Sequence, residues 1–381
     1  MKVVLNKLTY LTYQVFPSQK ANSIQTIRML ENFSLKKMDV RLIYPKRGNL
    51  DFRNVAINDF YNIENEFEIK QLAHKLPFNY IKYFEGISFI LSSFLWSFYS
   101  VRKVMKNISF DEVIMTRTHW ILFFLRKYKN LIIFECHKYS KINNLIFKLL
   151  KDKKNLVIVF TNENLQKSFS LSNNLEKNST VLESSYEDRL FEDTETYSKK
   201  HKNRVVFVGQ LLRFNKKRDL EFLINTFKKK SLENFELRII GGPNHIVEEL
   251  KKIAGINTKL LGHLSNKDAI KEMESAEFGI LINEKNQHSE MHTSPIKYFE
   301  YLRAGLKVLA VDFEAHRNLP IEDNIYFFEN ADSLSFITSL LNAVEKPYFN
   351  NPDLSKFSYS YRVDKLIDHL ARLEGLEPPT L

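Results

Sequence analysis

Cysteine is nearly missing from this chain. Cys136 stands alone in 381 residues, which excludes a disulfide framework and any cysteine-based zinc site. A reducing, cytoplasmic setting is the expectation. Long apolar runs are missing as well: the longest stretch without charge, Gly86 to Val101, holds five serines and falls short of the roughly 20 apolar residues a membrane span needs. No signal peptide is expected, because Met1–Leu5 is short and Lys7, Tyr10, Tyr13 and Gln14 break up the stretch after it. Zinc-finger, RNP and helix-turn-helix signatures do not occur. Neither does a convincing D-x-D metal motif.

What is present is globular: 44% hydrophobic and 27% charged residues, in a length that suits two domains. The net charge of +11 is unevenly spread. Residues 1–185 carry 28 Lys and Arg against 15 Asp and Glu, whereas residues 186–381 carry 28 against 30. A lysine-rich codon bias would not confine the excess to one half. The basic half implies either an anionic membrane surface or lipid-linked acceptor, or plain solubility. With no recognition signature beside the charge, nucleic acid is not expected as a partner.

Short apolar runs alternate with amphipathic ones. Val3–Leu5, Val40–Tyr44, Glu112–Thr116, Leu131–Glu135 and Leu156–Thr161 read as buried parallel strands. Between them lie helical stretches such as Ser23–Phe33 and Ile87–Met105. In the second, Ile87, Ile90, Leu91, Phe94, Leu95, Phe98 and Val101 recur at helical spacing. That stripe suits a helix covering a sheet; the alternative is a helix that dips into a membrane interface. The rhythm restarts at Arg204–Val208 and runs through Glu236–Ile240, Lys259–Leu261, Phe278–Ile282, Lys307–Val311 and Ile325–Phe328. Two Rossmann-like, doubly wound α/β domains are predicted, 1–185 and 204–350. A polar linker over 186–203 would join them. A last helix within 351–374 is expected to pack back on the first domain, with a loose tail at 375–381. Two such domains place a ligand cleft at the carboxyl ends of their strands.

The segment Thr293-Ser294-Pro295-Ile296-Lys297-Tyr298-Phe299-Glu300 predicts a helix start. Ser294 suits the N-cap and Pro295 the first helical position. The N–H groups and dipole there suit a diphosphate. Glu300, near the face of Lys297, is placed to accept two hydroxyl hydrogen bonds from a ribose. The same residues would equally make a capped helix with a solvated Lys297–Glu300 ion pair.

Continued through Tyr301-Leu302-Arg303-Ala304-Gly305-Leu306-Lys307-Val308-Leu309-Ala310-Val311-Asp312, this segment resembles the donor-site signature of glycosyltransferase family 4. The pattern reads roughly S-P-x-K-x-x-E-Y-x-A-x-G-x-P-V-x-A-x-D, with Arg303 and Lys307 in place of two usual residues. Val206–Leu211, Leu237–Pro243 and Leu261-Gly262-His263 extend the resemblance over 204–345. It implies a GT-B fold, with two Rossmann-like domains facing across a cleft, and a retaining, metal-independent transferase. The donor implied is a UDP-, GDP- or ADP-sugar, and the acceptor a lipid-linked sugar or polysaccharide in bacterial cell-surface assembly. The protein would then lie peripherally on the inner face of the cytoplasmic membrane.

Residue by residue, the resemblance makes Glu300 the ribose ligand and turns Thr293, Ser294, Pro295 and Lys297 toward the diphosphate. Gly209, Gln210, Gly241 and Gly242 fall in the donor-side loops. The family's first motif glutamate falls at His292, and its Gly-Arg becomes Gly209-Gln210. Arg213, Lys216, Lys217 and Arg218 are the candidate cations, with Lys217 or Arg218 at the catalytic lysine position. In the first domain, Pro17–Gln25 resembles an acceptor loop, making Lys20, Asn22 and Ser23 acceptor-side candidates. His137, after the strand ending in Glu135-Cys136, matches a histidine that lies against the donor sugar, and Glu135 would orient it or the acceptor. His119, after Thr116-Arg117-Thr118, is a further acceptor-side candidate. Front-face attack with the leaving phosphate as base is expected, since no carboxylate nucleophile is evident. Two rival readings stay open: a GT-B relative with epimerase-like chemistry, and a non-catalytic nucleotide-sugar binder.

Overall fold

The computed structural model describes residues 6–46, 56–74, 85–109, 111–191, 200–213, 216–348 and 353–373. The chain divides into two compact units, Met1–Glu183 with Tyr359–Leu381, and Ser184–Ser358.

The first unit holds seven parallel strands: β1 Lys7–Leu11, β2 Asp39–Pro45, β3 Glu68–Leu72, β4 Val113–Thr116, β5 Ile132–Cys136, β6 Leu156–Phe160 and β7 Ser179–Val181, in the order β3-β2-β1-β4-β5-β6-β7. β5 and β6 are buried along their whole length, as parallel strands with both faces covered must be. Leu8, Tyr10, Val40 and Met115 pack on one face, Leu11, Ile43, Ile114 and Phe134 on the other, following the two-residue period of a strand. The expected strand Val3–Leu5 lies outside the described residues; β1 begins at Lys7, and Tyr10 sits in its buried middle. β3 has no apolar run to announce it, being an edge strand in which only Leu72 is buried.

One face of this sheet is covered by the helices Ala21–Leu35 and Tyr359–Leu373, through Ile27, Leu30 and Phe33 from the first and Val363, Leu366 and Leu370 from the second. A buried ion pair ties the last helix down. Arg362 and Glu135 meet at 3.3 Å with side chains 3% and 2% exposed. Arg362 also donates to the carbonyls of Leu182 and Glu183, and Tyr10 donates its hydroxyl to Glu135 at 3.0 Å. Glu135 is therefore held by structural partners.

The other face carries the helices Glu85–Met105, His119–Phe124 and Lys141–Leu149. Here five of the seven residues of the expected stripe face outward, while Phe94 is half-buried and Val101 buried. Ile87, Ile90, Leu91, Leu95 and Phe98 are exposed, while Ser92, Ser93, Ser97 and Ser100 are buried beside Trp96, Val101 and Val104. Small residues let the helix lie close on its neighbours, and two of the hydroxyls find partners: Ser92 bonds Tyr13 at 2.6 Å and Ser100 donates to the Ser97 carbonyl at 3.1 Å, whereas the Ser97 hydroxyl has none among the described residues. Apolar spacing alone could not say which side of the helix faces in. Among the described residues no helix is long and apolar enough to cross a membrane.

The second unit has six parallel strands: β8 Arg204–Val208, β11 Glu236–Ile240, β12 Thr258–Gly262, β13 Phe278–Leu281, β14 Lys307–Val311 and β15 Ile325–Phe328. A two-stranded ribbon, β9 Leu212–Arg213 and β10 Lys216–Lys217, follows β8. The sheet order β12-β11-β8-β13-β14-β15 is that of a dinucleotide-type doubly wound fold, with its switch point between β8 and β13. The unit begins at Ser184. Tyr186 and Phe191, inside the stretch read as a linker, are buried in its core, so the polar composition around them misplaced the boundary.

Candidate active site

Three strand ends of the second unit are laced together through their backbones. Gly209 N–H donates to Ile240 at 2.9 Å, Leu211 N–H to Gly242 at 2.9 Å, and Gly241 N–H to Gly262 at 2.8 Å. Gly241 is at φ +149°, and a Cβ there would stand 1.8 Å from the Gly209 carbonyl oxygen. Only glycine allows that approach. Gly209, Gln210, Gly241 and Gly242 thus line the rim of a rigid platform at the carboxyl ends of β8 and β11, with the Gln210 side chain exposed.

Beside this platform the sheet opens. β8 pairs with β13 only at Val205–Phe278 and Val206–Gly279. Beyond that point the Tyr301 hydroxyl fills the gap, accepting from Val208 N–H at 3.0 Å and donating to the Ile280 carbonyl at 3.4 Å. Its ring reaches that place because residue 279 is glycine: a Cβ there would meet the ring at 2.6 to 2.9 Å. Burial pushes the Tyr301 hydroxyl pKa well up, so it stays a neutral donor. Neither residue was singled out from sequence, although a glycine inside the apolar strand Phe278-Gly279-Ile280-Leu281 is itself a sign of close approach.

Arg218 lies at this switch point. Its guanidinium donates to the Ile282 carbonyl and to Asn283 Oδ1 at 3.2 Å, and it stands 5.7 Å from the Phe207 ring centre. Lys217 leaves in the other direction, to an exposed ion pair with Glu249 on the helix Asn244–Lys251. The alternation of a ribbon sends neighbouring side chains to opposite sides. Of the two residues offered for one position, then, Arg218 is the one at the strand ends. Arg213 and Lys216 are register partners in the ribbon; their side chains lie outside the described residues.

After β13 the chain runs through a single π turn, His288–His292, into the helix Ile296–Arg303. His292 and Thr293 are buried, and burial lowers the His292 pKa, which leaves a neutral imidazole at neutral pH. The helix start differs from expectation. Pro295 occupies the N-cap position and no side chain caps the first turn. The Ser294 hydroxyl instead accepts from Ser184 N–H at 2.9 Å, while the Ser184 hydroxyl donates to the Ser294 carbonyl at 2.6 Å. The serine is spent on holding the chain from the other side. Lys297 and Glu300 form an ion pair, with side chains 35% and 19% exposed. The two motif departures have local roles. Arg303 pairs with Asp188 at 2.8 Å, and Lys307, though only 2% exposed, donates to the Ala343 and Lys346 carbonyls that end the helix Ser333–Glu345.

In the first unit the strand ends carry a neutral polar network. Tyr13 N–H donates to Thr118 Oγ1 at 3.1 Å, Thr118 N–H to Thr116 Oγ1 at 3.0 Å, and Thr26 Oγ1 to Gln14 Oε1 at 3.0 Å. The Asn22 carbonyl, in the first turn of the helix Ala21–Leu35, accepts from Gln14 at 2.9 Å and from Arg117 at 3.3 Å. Arg117 is a cation here to which no role was attached. Ser23 is buried, its hydroxyl donating to the Val15 carbonyl at 3.2 Å. Lys20 is exposed at the helix N-cap. His137 sits at the end of β5 with Nε2 3.9 Å from Glu135. His119 opens its short helix next to Trp120, and burial, with the Lys138 charge second, lowers its pKa to about 4.

Residues 202–346 match the family model described as glycosyl transferases group 1. This unit is a group 1 glycosyl transferase domain. The protein is therefore a glycosyltransferase, on two parallel-sheet α/β units of GT-B type. No curated protein matches the chain in sequence. Among solved structures it is similar to a glycosyltransferase from Rickettsia africae (14% identity, TM-score 0.65, 97% of this chain and 99% of that one). It is also similar to the trehalose-6-phosphate structure from E. coli bound with UDP-2-fluoro glucose (12% identity, TM-score 0.65, 98% and 100%). A third is a sucrose-phosphate synthase from Thermosynechococcus elongatus (11% identity, TM-score 0.63, 97% and 97%). At such identities these likenesses speak for the fold.

Proposed function

We propose that the protein moves a sugar from a UDP-, GDP- or ADP-sugar to a hydroxyl of a glycan or lipid-linked acceptor, with retention, as a member of the S-P-x-K branch of glycosyltransferase family 4. The observation that carries this reading is the position of Arg218 at the β8–β13 switch point, beside a rigid glycine platform. A helix whose first turn no side chain caps follows from β13 in the same unit. Breaking the sugar–phosphate bond gathers negative charge on the departing diphosphate. A fixed guanidinium and a helix N-terminus stabilise that charge without reorganising, and in this reading no metal is required. Glu300 takes the ribose hydroxyls, with Lys297 sharing its charge until the donor arrives. His292, neutral and buried, stands where the family has a carboxylate and meets the sugar through hydrogen bonds alone. The acceptor O–H attacks the anomeric carbon on the face the diphosphate leaves, and its proton passes to the leaving phosphate oxygen.

Calorimetric titration of the protein with UDP-, GDP- and ADP-glucose tests the reading, with Glu300→Ala beside the wild type. Loss of a charged acceptor for the ribose should weaken the preferred donor by about 1.5–3 kcal/mol, roughly ten- to a hundredfold. Unchanged affinity in that variant would remove Glu300 from the site. Turnover that persists in EDTA is expected as well, and a strict Mg²⁺ or Mn²⁺ requirement would overturn the metal-free route.

A further inference from the structure

The helix Glu85–Met105 turns its apolar side outward. Ile87 is 66% exposed, Leu91 53% and Ile90 48%, and Leu95 and Phe98 continue the same face at helical spacing. The layer beside it repeats the theme, with Leu145 at 58% and Leu149 at 61% on the helix Lys141–Leu149. Evolution of a purely soluble surface would place the four buried serines of the first helix outside and these residues inside. Exposed apolar residues scattered singly need no explanation; a contiguous face of them does.

The charge of this layer says what it meets. Residues 85–152 hold 11 Lys and Arg against five Asp and Glu, and two of the five, Glu112 and Glu135, are buried. Arg102, Lys103 and Lys106 are exposed at the end of the apolar face, and the Arg102 guanidinium stands 5.3 Å from the Phe98 ring centre. Between the helices lies an aromatic seam. Phe94 meets Trp120 and Phe124 at 5.1 Å, and Phe98 meets Phe124 at 5.3 Å. An apolar strip bordered by aromatics and by an excess of cations fits the boundary of an anionic bilayer, where acyl chains take the first and headgroup phosphates the last. So strong an excess of one sign suits a surface that is uniformly negative.

We propose that this face, centred on Ile87, Ile90, Leu91, Leu95 and Phe98, docks the first unit on an anionic lipid bilayer. The docking is peripheral and does not depend on the donor chemistry, so it is measured with neither donor nor acceptor present. The full chain is floated with vesicles of phosphatidylcholine containing phosphatidylglycerol, and with vesicles of phosphatidylcholine alone, at low and high salt. Recovery is expected on the mixed vesicles only, and it should fall with salt because exposed charges are screened over about 8–10 Å. Leu91→Glu should abolish recovery. Arg102→Ala and Lys106→Ala should each weaken it about fivefold, the effect of one basic residue at an anionic surface. Ile256→Glu, a fully exposed position of the second unit, should leave it unchanged. Circular dichroism of each variant separates lost binding from lost folding, and the alanine variants carry the test if Leu91→Glu does not fold. Equal recovery on both vesicle types, recovery on neither, or full recovery with folded Leu91→Glu would overturn the proposal. So would a dimer in sedimentation that Leu91→Glu converts to monomer, since the face would then pair two copies of the chain.

Discussion

In each unit the first strand, β1 or β8, runs between the second and fourth strands of its sheet, and the chain reverses its winding there. What the two units place at that reversal differs. Around β1 and β4 the strand ends are closed by threonine hydroxyls, Gln14 and a helix turn that satisfy one another, with Arg117 on the Asn22 carbonyl. Around β8 and β13 the sheet is held apart by Tyr301, and Arg218 is pinned to the carboxyl end of β13. The same topology thus yields a mostly neutral, hydroxyl-rich rim in one unit and a cationic, glycine-floored one in the other. Topology chooses where a ligand binds, and side chains choose its charge. The outer layers differ too: exposed large apolar residues gather on the helices of the first unit, whereas among the described residues of the second they are Ile256, in the turn before β12, and Leu334 and Leu341 of the helix Ser333–Glu345.

The largest break in this comparison should come from the buried pair that closes the first unit. Arg362→Ala leaves the Glu135 carboxylate and two backbone carbonyls without their partner, a loss of about 3–5 kcal/mol for one side of a buried ion pair. Urea unfolding should show the loss in the transition that belongs to the first unit. Arg218→Ala should lower kcat by roughly 10²–10³, the usual cost of one preorganised charge-stabilising donor, while Lys217→Ala next to it leaves kcat unchanged. Equal effects from the two neighbours would undo the distinction drawn from the ribbon's alternation.

Gly279→Ala pushes a methyl into the Tyr301 ring and should cost about 1–3 kcal/mol. Tyr301→Phe should cost a similar ~1–3 kcal/mol by orphaning Val208 N–H. If the gap between β8 and β13 positions the donor, both variants also raise the Kd for nucleotide sugar; an unchanged Kd would confine Tyr301 to stability. The smallest effect expected is a pH slope in the first unit. His119 takes up its proton near pH 6.5 when unfolded but only near pH 4 when folded, so the unfolded chain binds more protons between those values. Stability should therefore be flat above pH 6.5 and fall as the pH drops toward 4, by no more than roughly 1–3 kcal/mol. His119→Asn should flatten that slope.

Much of this architecture is written in local pattern. Buried strands such as Leu156–Phe160 and Lys307–Val311 have little alternative to a two-sided sheet, and their alternation with amphipathic helices dictates a doubly wound order. The motif from Thr293 to Gly305 likewise names its own helix, because proline and glycine act on the backbone within a residue or two. Long-range choices were not legible in that way. Ser294 is a good cap by propensity, yet Ser184, 110 positions away, takes its hydroxyl. Lys217 and Arg218 are equivalent as letters, and only the ribbon's register separates them. The apolar spacing of Ile87 to Phe98 marks a face without saying whether it looks inward. That was decided by how closely the serine side can approach Tyr13 and the helices beside it, a fit that exists only once the unit is packed.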